Sequence, residues 1–346
     1  MIRLDTGNRK LTDMTAISRL LIRAPNWLGD AVMALPALAA VRAAMPATHI
    51  TIAAISAIAP VFEEDTSASS DAVLTITDRR GEAKILANGK FDAALLLPNS
   101  FRSAWTMRRA GIPERWGYSA NLRGFLLTRR LARPRERVHQ SKYYSALVTG
   151  LGFEAPESLP RISVRAETAR RADEMLVKHG VTPSTPLVGF APGAAYGHAK
   201  RWPPSRVADV VTGVSAKLGG VSVLLGAHGD REAGREIESS VPAGTALVNL
   251  IGRTDLRQLA GILARCSAFV SNDSGAMHLA AALGVPVTAI FGPTDERVTA
   301  PLGNHDVILQ KVFCRPCMLR DCPIDHRCMT RISSDQVFES VARTSA

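Results

Sequence analysis

Aromatic residues make up only 5% of the 346-residue chain. That scarcity argues against an aromatic-rich all-β sandwich, and the dominance of Ala, Val, Leu and Gly favours α/β layers. No apolar run approaches the ~20 residues of a membrane-spanning helix. The longest, at 31–41 and 50–62, are short or broken by Pro, Ser and Thr. The first residues, MIRLDTGNRKLTDMTAISRL, lack the apolar core of a secretory signal. Low-complexity tracts are absent too, so most of the chain is expected to fold. These absences predict a cytoplasmic protein whose only membrane contact is at the surface.

The length exceeds one comfortable hydrophobic core, which predicts two domains. The formal net charge is +11. Nucleic acid, an anionic membrane face or a phosphorylated small substrate would each suit that surplus, and a generally basic proteome is the bland alternative.

Short apolar runs alternate with helical patterns through the first half. Residues 19–24 (RLLIRA) read as a strand ending at Pro25. A helix is expected over 30–45, with Pro36 kinking it or marking its true start. Further strand-length runs lie at 49–55, 72–76 and 93–97, with a helix at 100–110. This is the βαβ pattern of a parallel, doubly wound sheet. Pro156, Pro160, Pro183 and Pro186 then mark a composition shift around a charged helix at 167–178. The alternation restarts with strands at 187–191, 221–225, 247–250, 268–271 and 286–291. Helices are expected at 205–218, after a cap at Thr254, from Gly275, and at 334–343, where Ser334 is the expected cap. The organisation read from this is an extension over 1–19, a Rossmann-like domain over 20–162, a second over 163–333, and a closing helix over 334–346.

Three strand-to-helix turns carry chemistry. In SNDSGAMHLAAAL (271–283), Asp273 or Ser274 can cap a helix, and Gly275 lets a ligand approach the backbone. The unpaired N–H groups there favour a phosphate; an ordinary capped helix is the competing reading. FAPGAAYGHAKRWP (190–203) joins a strand to a helix through Gly193, Gly197, Lys200 and Arg201, a loop able to neutralise a diphosphate. RAPNWLGD (23–30) ends on Asp30, which is either a helix cap or a general base.

PNWLGD, PGAAYGHAKRWP and NDSGAMHLAAALGVPVTAIFGPT, in this order and spacing, resemble the ADP-heptose:lipopolysaccharide heptosyltransferases. LLPNSFRSAWTMRRAGIPERWGY (96–118) is a fourth match, and the wording PNSF and AKRWP is nearest the heptosyltransferase II type. The resemblance covers roughly 20–301. It implies a GT-B fold of two Rossmann-like domains facing a central cleft, in which a closing helix such as 334–346 often packs back on the first domain, an inverting mechanism and no catalytic metal or cofactor. It implies ADP-L-glycero-β-D-manno-heptose as donor, the lipopolysaccharide inner core as acceptor, addition of the second heptose, and peripheral residence on the cytoplasmic face of the inner membrane. By motif position, Asp30 corresponds to the general base and Lys200 to the cation facing the departing ADP. Asp273 would contact the heptose; Ser274, Gly275 and His278 would hold the diphosphate, with Gly193 in the closing loop. Asn26, Trp27, Asn99, Arg102 and Arg123 fall on the acceptor side. The adenine pocket is less legible, with GAHGD (226–230) the plausible contact region.

Two features lie outside those motifs. Arg123, Arg129, Arg130, Arg133, Arg135 and Arg137 form a basic stretch, read either as a solvated loop or as contact with acidic sugars, phosphates or an anionic bilayer. Nucleic acid is not expected as a partner, because the stretch lacks interleaved aromatics and any known module. Cys314, Cys317, Cys322 and Cys328, with His326 among them, form a cysteine-rich loop over 314–328. Four thiolates can make a structural zinc site; local disulfides or free thiols are the alternative. Cys266 stands apart as an expected core thiol. Rival readings of the whole chain are another GT-B transferase or epimerase, or a non-catalytic nucleotide-binding protein on the same fold.

Overall fold

A computed structural model describes residues 16–78 and 80–345. The expected N-terminal extension lies outside the described residues as far as position 15. The chain divides into two compact units between Arg161 and Ile162, beside the proline-marked boundary expected from the sequence.

The first unit is built on strands β1 (Arg19–Arg23), β2 (His49–Ile55), β3 (Ala72–Ile76), β4 (Ala93–Leu96), β5 (Glu114–Tyr118) and β6 (Arg129–Leu131). They form one sheet in the order β3-β2-β1-β4-β5-β6, and every neighbouring pair is parallel. β4 is buried along its whole length and β1 over all but its first residue, which is why both read as unbroken apolar runs rather than alternating ones. Its helices are α1 (Leu28–Met33), α2 (Leu35–Ala44), α3 (Ala59–Glu63), α4 (Glu82–Asn88), α5 (Phe101–Arg109) and α6 (Gln140–Gly150). The single helix expected over 30–45 is two. Proline lacks an N–H and is tolerated only in a first turn, so the chain breaks at Ala34 and Pro36 sits in the first turn of α2.

The second unit repeats the plan. Its elements are α7 (Ala166–Val177), β7 (Leu187–Ala191), α8 (Pro204–Leu218), β8 (Val221–Leu224), α9 (Arg231–Ser240), β9 (Leu247–Asn249), α10 (Leu256–Arg265), β10 (Ala268–Asn272), α11 (Gly275–Ala282), β11 (Val287–Phe291), α12 (Glu296–Thr299), β12 (His305–Leu309), α13 (Arg327–Thr330) and α14 (Ser334–Ser345). The sheet order is β9-β8-β7-β10-β11-β12, again all parallel. Both sheets therefore reverse direction beside their first strand, between β1 and β4 and between β7 and β10. Loops at the carboxyl ends of those strands are where such sheets bind ligands.

Two caps differ from expectation by one residue. Asp255, not Thr254, caps α10: its Oδ1 accepts the Gln258 N–H at 2.7 Å while Gln258 Oε1 accepts the Asp255 N–H at 2.9 Å. Ser333 makes the same reciprocal pair with Gln336 ahead of α14, so Ser334 is already helical. The closing helix packs within the second unit. Val337 and Val341 are fully buried in a cluster with Val210, Val214 and Ile290, each worth at least about 1.5 kcal/mol. Ser340 Oγ bonds Thr288 Oγ1 and the Asp306 carboxylate, both at 2.7 Å, fastening the helix to β11 and β12. No described helix is long and apolar enough to cross a membrane.

Candidate active site

In the first unit the loop after β1 is set by a buried arginine. Arg23 Nε pairs with Glu82 Oε1 at 2.9 Å, and its other nitrogens donate to the Ala24 carbonyl at 2.7 Å and to Asn26 Oδ1 at 3.1 Å. Asn26 is thereby oriented, and Trp27, two-thirds exposed at 66%, precedes α1 with extended backbone angles. Trp27 occupies the cap position, and no side chain caps this helix. Asp30 is the third residue of the helix, in its first turn, and its carboxylate is not the cap that local spacing allowed. Instead Tyr144 Oη donates to Asp30 Oδ1 at 3.1 Å, and the Gln140 side chain also bonds it. Burial raises the Asp30 carboxyl above the ordinary carboxylate range, and these two hydrogen bonds draw it part of the way back. A half-buried carboxylate of raised basicity, held by neutral donors, is suited to accepting a proton.

The loop after β4 converges on the same helix, α6. Asn99 Nδ2 donates to Tyr143 Oη at 2.7 Å, and Tyr118 Oη donates to the Tyr143 carbonyl at 2.8 Å. Adjacent tyrosines thus fix the candidate base and the candidate acceptor asparagine. Arg102 lies exposed on α5. Arg123 departs from its expected acceptor role. It is 0% exposed and gives its donors to the carbonyls of Pro98 and Tyr118, to Ser103 Oγ and to Asn99 Oδ1. Burial pushes its guanidinium down to about 10. It shapes the Asn99 loop from beneath, as the neighbouring Arg129 supports the sheet edge by stacking on Trp116 at 5.2 Å.

In the second unit, the loops after β7 and β10 meet. Lys200 Nζ lies 2.5 Å from Asp273 Oδ2, both side chains largely buried, and Thr294 Oγ1 donates to the same oxygen at 2.7 Å. Asn272 ties the β7 loop at both ends, donating to the Pro192 carbonyl at 2.6 Å and accepting from the Trp202 N–H at 3.2 Å. Ser274 occupies the cap position of α11 without bonding its N–H groups; its hydroxyl is 3.1 Å from Ser271 Oγ. The helix start at Gly275 keeps its N–H groups uncapped beside a lysine. His278, one turn in, is buried. Gly193 is required by close approach, because a Cβ there would meet the Asp230 carboxylate at 2.2 Å. Asp230, the acid of GAHGD, bonds the Ala227 N–H at 3.1 Å and Arg201 at 3.2 Å, so Arg201 links two loops while Lys200 is aimed at the α11 start.

All five cysteines are free thiols. Cys266 is the core thiol expected, its burial pushing it up to about 12. Among the described residues no group of three His, Cys, Asp or Glu side chains is set to hold a metal ion. Residues not singled out from the sequence are Gln140, Tyr143, Tyr144, Tyr196 and Thr294.

Two parallel sheets of the same order, each with its polar loops at the reversal point and one with a lysine at a bare helix start, are the two Rossmann-like halves of a GT-B architecture. Comparison narrows the class. Residues 79–327 match the sequence model of Glycosyltransferase family 9 (heptosyltransferase), and the chain belongs to that family. It is 31% identical to lipooligosaccharide heptosyltransferase 2 of Haemophilus ducreyi over 85% of this chain and 89% of that one. Against lipopolysaccharide heptosyltransferase 2 of Escherichia coli K12 the identity is 31%, covering 85% and 88%. The structure of E. coli ADP-heptose lps heptosyltransferase II superposes with a TM-score of 0.82 at 28% identity, covering 94% of this chain and 98% of that one.

Proposed function

We propose that this protein transfers a heptose from ADP-heptose to the inner core of lipopolysaccharide, adding the second heptose with inversion and without a catalytic metal. The observation that carries the donor half is the Lys200–Asp273 pair at the uncapped start of α11. On donor binding the two side chains divide their work. The ammonium and the helix N–H groups at Ser274 and Gly275 face the diphosphate, and the Asp273 carboxylate accepts from the sugar hydroxyls. The acceptor hydroxyl oxygen attacks the anomeric carbon while Asp30 takes its proton, and the bond to the phosphate oxygen breaks with its electron pair leaving on ADP. Charge grows on the diphosphate as that bond lengthens, so a fixed cation there acts most strongly in the transition state. Loss of one such donor typically costs roughly 10²–10³ in kcat.

A lipid-linked acceptor also suits the outer face of α5. Phe101, Trp105 and Phe125 are exposed, with ring centroids 6.4 Å apart for Phe101–Trp105 and 6.1 Å for Phe101–Phe125. No acidic residue occurs between positions 93 and 113, whereas Arg102, Arg108 and Arg109 do. Aromatics at the headgroup level with arginines around them match an anionic membrane surface, and the patch begins two positions after Asn99. The decisive assay supplies ADP-heptose with Kdo-lipid A acceptors carrying zero or one heptose. Transfer to the one-heptose acceptor is expected. Turnover of UDP-GlcNAc with no use of ADP-heptose would overturn the reading.

A further inference from the structure

The cysteine-rich loop does not stand apart as a surface staple; it wraps the turn that carries Lys200. Tyr196 Oη donates to the Met318 carbonyl at 2.8 Å. The Ala199 N–H donates to the Arg320 carbonyl at 2.9 Å, and His326 Nε2 lies 2.7 Å from the Ala199 carbonyl. A carbonyl only accepts, so the imidazole carries its proton on Nε2. Both backbone groups of the residue before Lys200 are therefore taken by this loop. The aromatic face of Tyr196 completes the hold: Lys200 Nζ lies 4.8 Å and Arg320 Cζ 5.3 Å from its ring centroid. Contact is so close at Gly197 that a Cβ would meet the Arg320 carbonyl oxygen at 2.4 Å.

The same loop reaches the other half of the ion pair. Arg315 donates to the Gly292 carbonyl at 2.6 Å and the Thr294 carbonyl at 2.9 Å, and pairs with Glu296 at 2.7 Å. The Met318 N–H donates to the Pro293 carbonyl at 2.9 Å. Thr294 is the residue whose hydroxyl bonds Asp273. The loop is rooted by Met329, fully buried in the unit's core. His326 itself sits at φ 56°, a left-handed conformation that is unfavourable for a non-glycine residue.

We propose that this loop is a clasp that positions Lys200 for the leaving diphosphate, and that Tyr196 and His326 are positioning residues in it. Each acts through the Lys200 turn. The proposal rests on the reading of Lys200 as the diphosphate cation.

The test is a kinetic cycle on the full chain, using His326→Ala, His326→Gln, Tyr196→Phe, Lys200→Ala and the double variant Lys200→Ala/His326→Ala. A misplaced charge-stabilising group costs on the order of tenfold to a hundredfold. His326→Ala is expected to lower kcat at least tenfold and weaken ADP binding, with the acceptor KM unchanged. Tyr196→Phe, which keeps the ring and loses the tie, should lower kcat severalfold. His326→Gln restores an amide donor near the Nε2 position and should recover most of the loss. In the Lys200→Ala background, His326→Ala should add nothing. The clasp is overturned if His326→Ala turns over like wild type, or if it costs its full factor with Lys200 already gone. Should Lys200→Ala itself leave ADP binding and kcat unchanged, the failure lies with the diphosphate reading beneath it.

Discussion

The pH profile of the enzyme tests Asp30 more sharply than its removal does. Tyr144 Oη donates to Asp30 Oδ1 at 3.1 Å and, with Gln140, opposes the burial that raises the carboxyl. Tyr144→Phe deletes that donor and leaves the ring in place. A hydrogen bond to a charged acceptor contributes about 1.5–3 kcal/mol. At about 1.4 kcal/mol per pKa unit, the Asp30 carboxyl should rise by about one to two units. The sign follows from the role. A general base works ionised, so activity is present above its pKa and lost as pH falls through it. Since Asp30 is already raised, the acid limb of kcat/KM should stand above the ordinary carboxylate range, and Tyr144→Phe should move it further up. The alkaline plateau should stay within severalfold of wild type, because there the carboxylate is ionised in both. ADP release measured across the pH range reads both quantities. A limb that stays put while the plateau drops would refute the reasoning: Tyr144 would then be packing support, and another group would titrate.

Four further outcomes follow from the same geometry. Asp30→Asn should lower kcat by about 10²–10⁴ with ADP affinity by calorimetry unchanged; near-normal turnover would remove Asp30 as the base. Gly193→Ala forces a Cβ to 2.2 Å from the Asp230 carboxylate, so ADP should bind at least tenfold more weakly, and an unchanged titration would show the loop yields freely. Arg123→Ala strands the carbonyls of Pro98 and Tyr118; at about 3 kcal/mol the melting temperature should fall by about 6–12 °C, against no shift if the arginine serves only ligands. Replacing Phe101, Trp105 and Phe125 together by Ser should abolish co-sedimentation with anionic vesicles while sparing transfer to a detergent-solubilised acceptor. Equal sedimentation of both proteins would place the membrane contact elsewhere.

What the sequence made legible tracks how each feature is encoded. Strands buried on both faces, such as β4 and β7, appear as apolar runs, and their ends fall within a residue of expectation. β5 and β6 do not, because Glu114, Arg115, Arg129 and Arg130 ride on them. Their charges are absorbed by pairing and stacking that only the folded sheet supplies. The same logic divides the site. Asp30, Lys200 and Asp273 sit in turns whose glycines and prolines announce them. Arg123 looked like a surface cation because nothing local reveals that it is enclosed by carbonyls contributed from positions 98–118. The residues that hold the site were hidden for a different reason, since each acts on a partner far along the chain: Tyr144 lies 114 positions from Asp30 and Tyr196 lies 122 from Met318. One signal was nonetheless present. The chain has only four tyrosines, and Tyr118, Tyr143, Tyr144 and Tyr196 all make hydrogen bonds in the two loop systems of the site. In a chain this poor in aromatic residues, a phenol is retained where a rigid ring and a hydroxyl are needed together. Rarity of a bifunctional side chain therefore locates the supporting shell that turn motifs leave out, and it does so in both units independently.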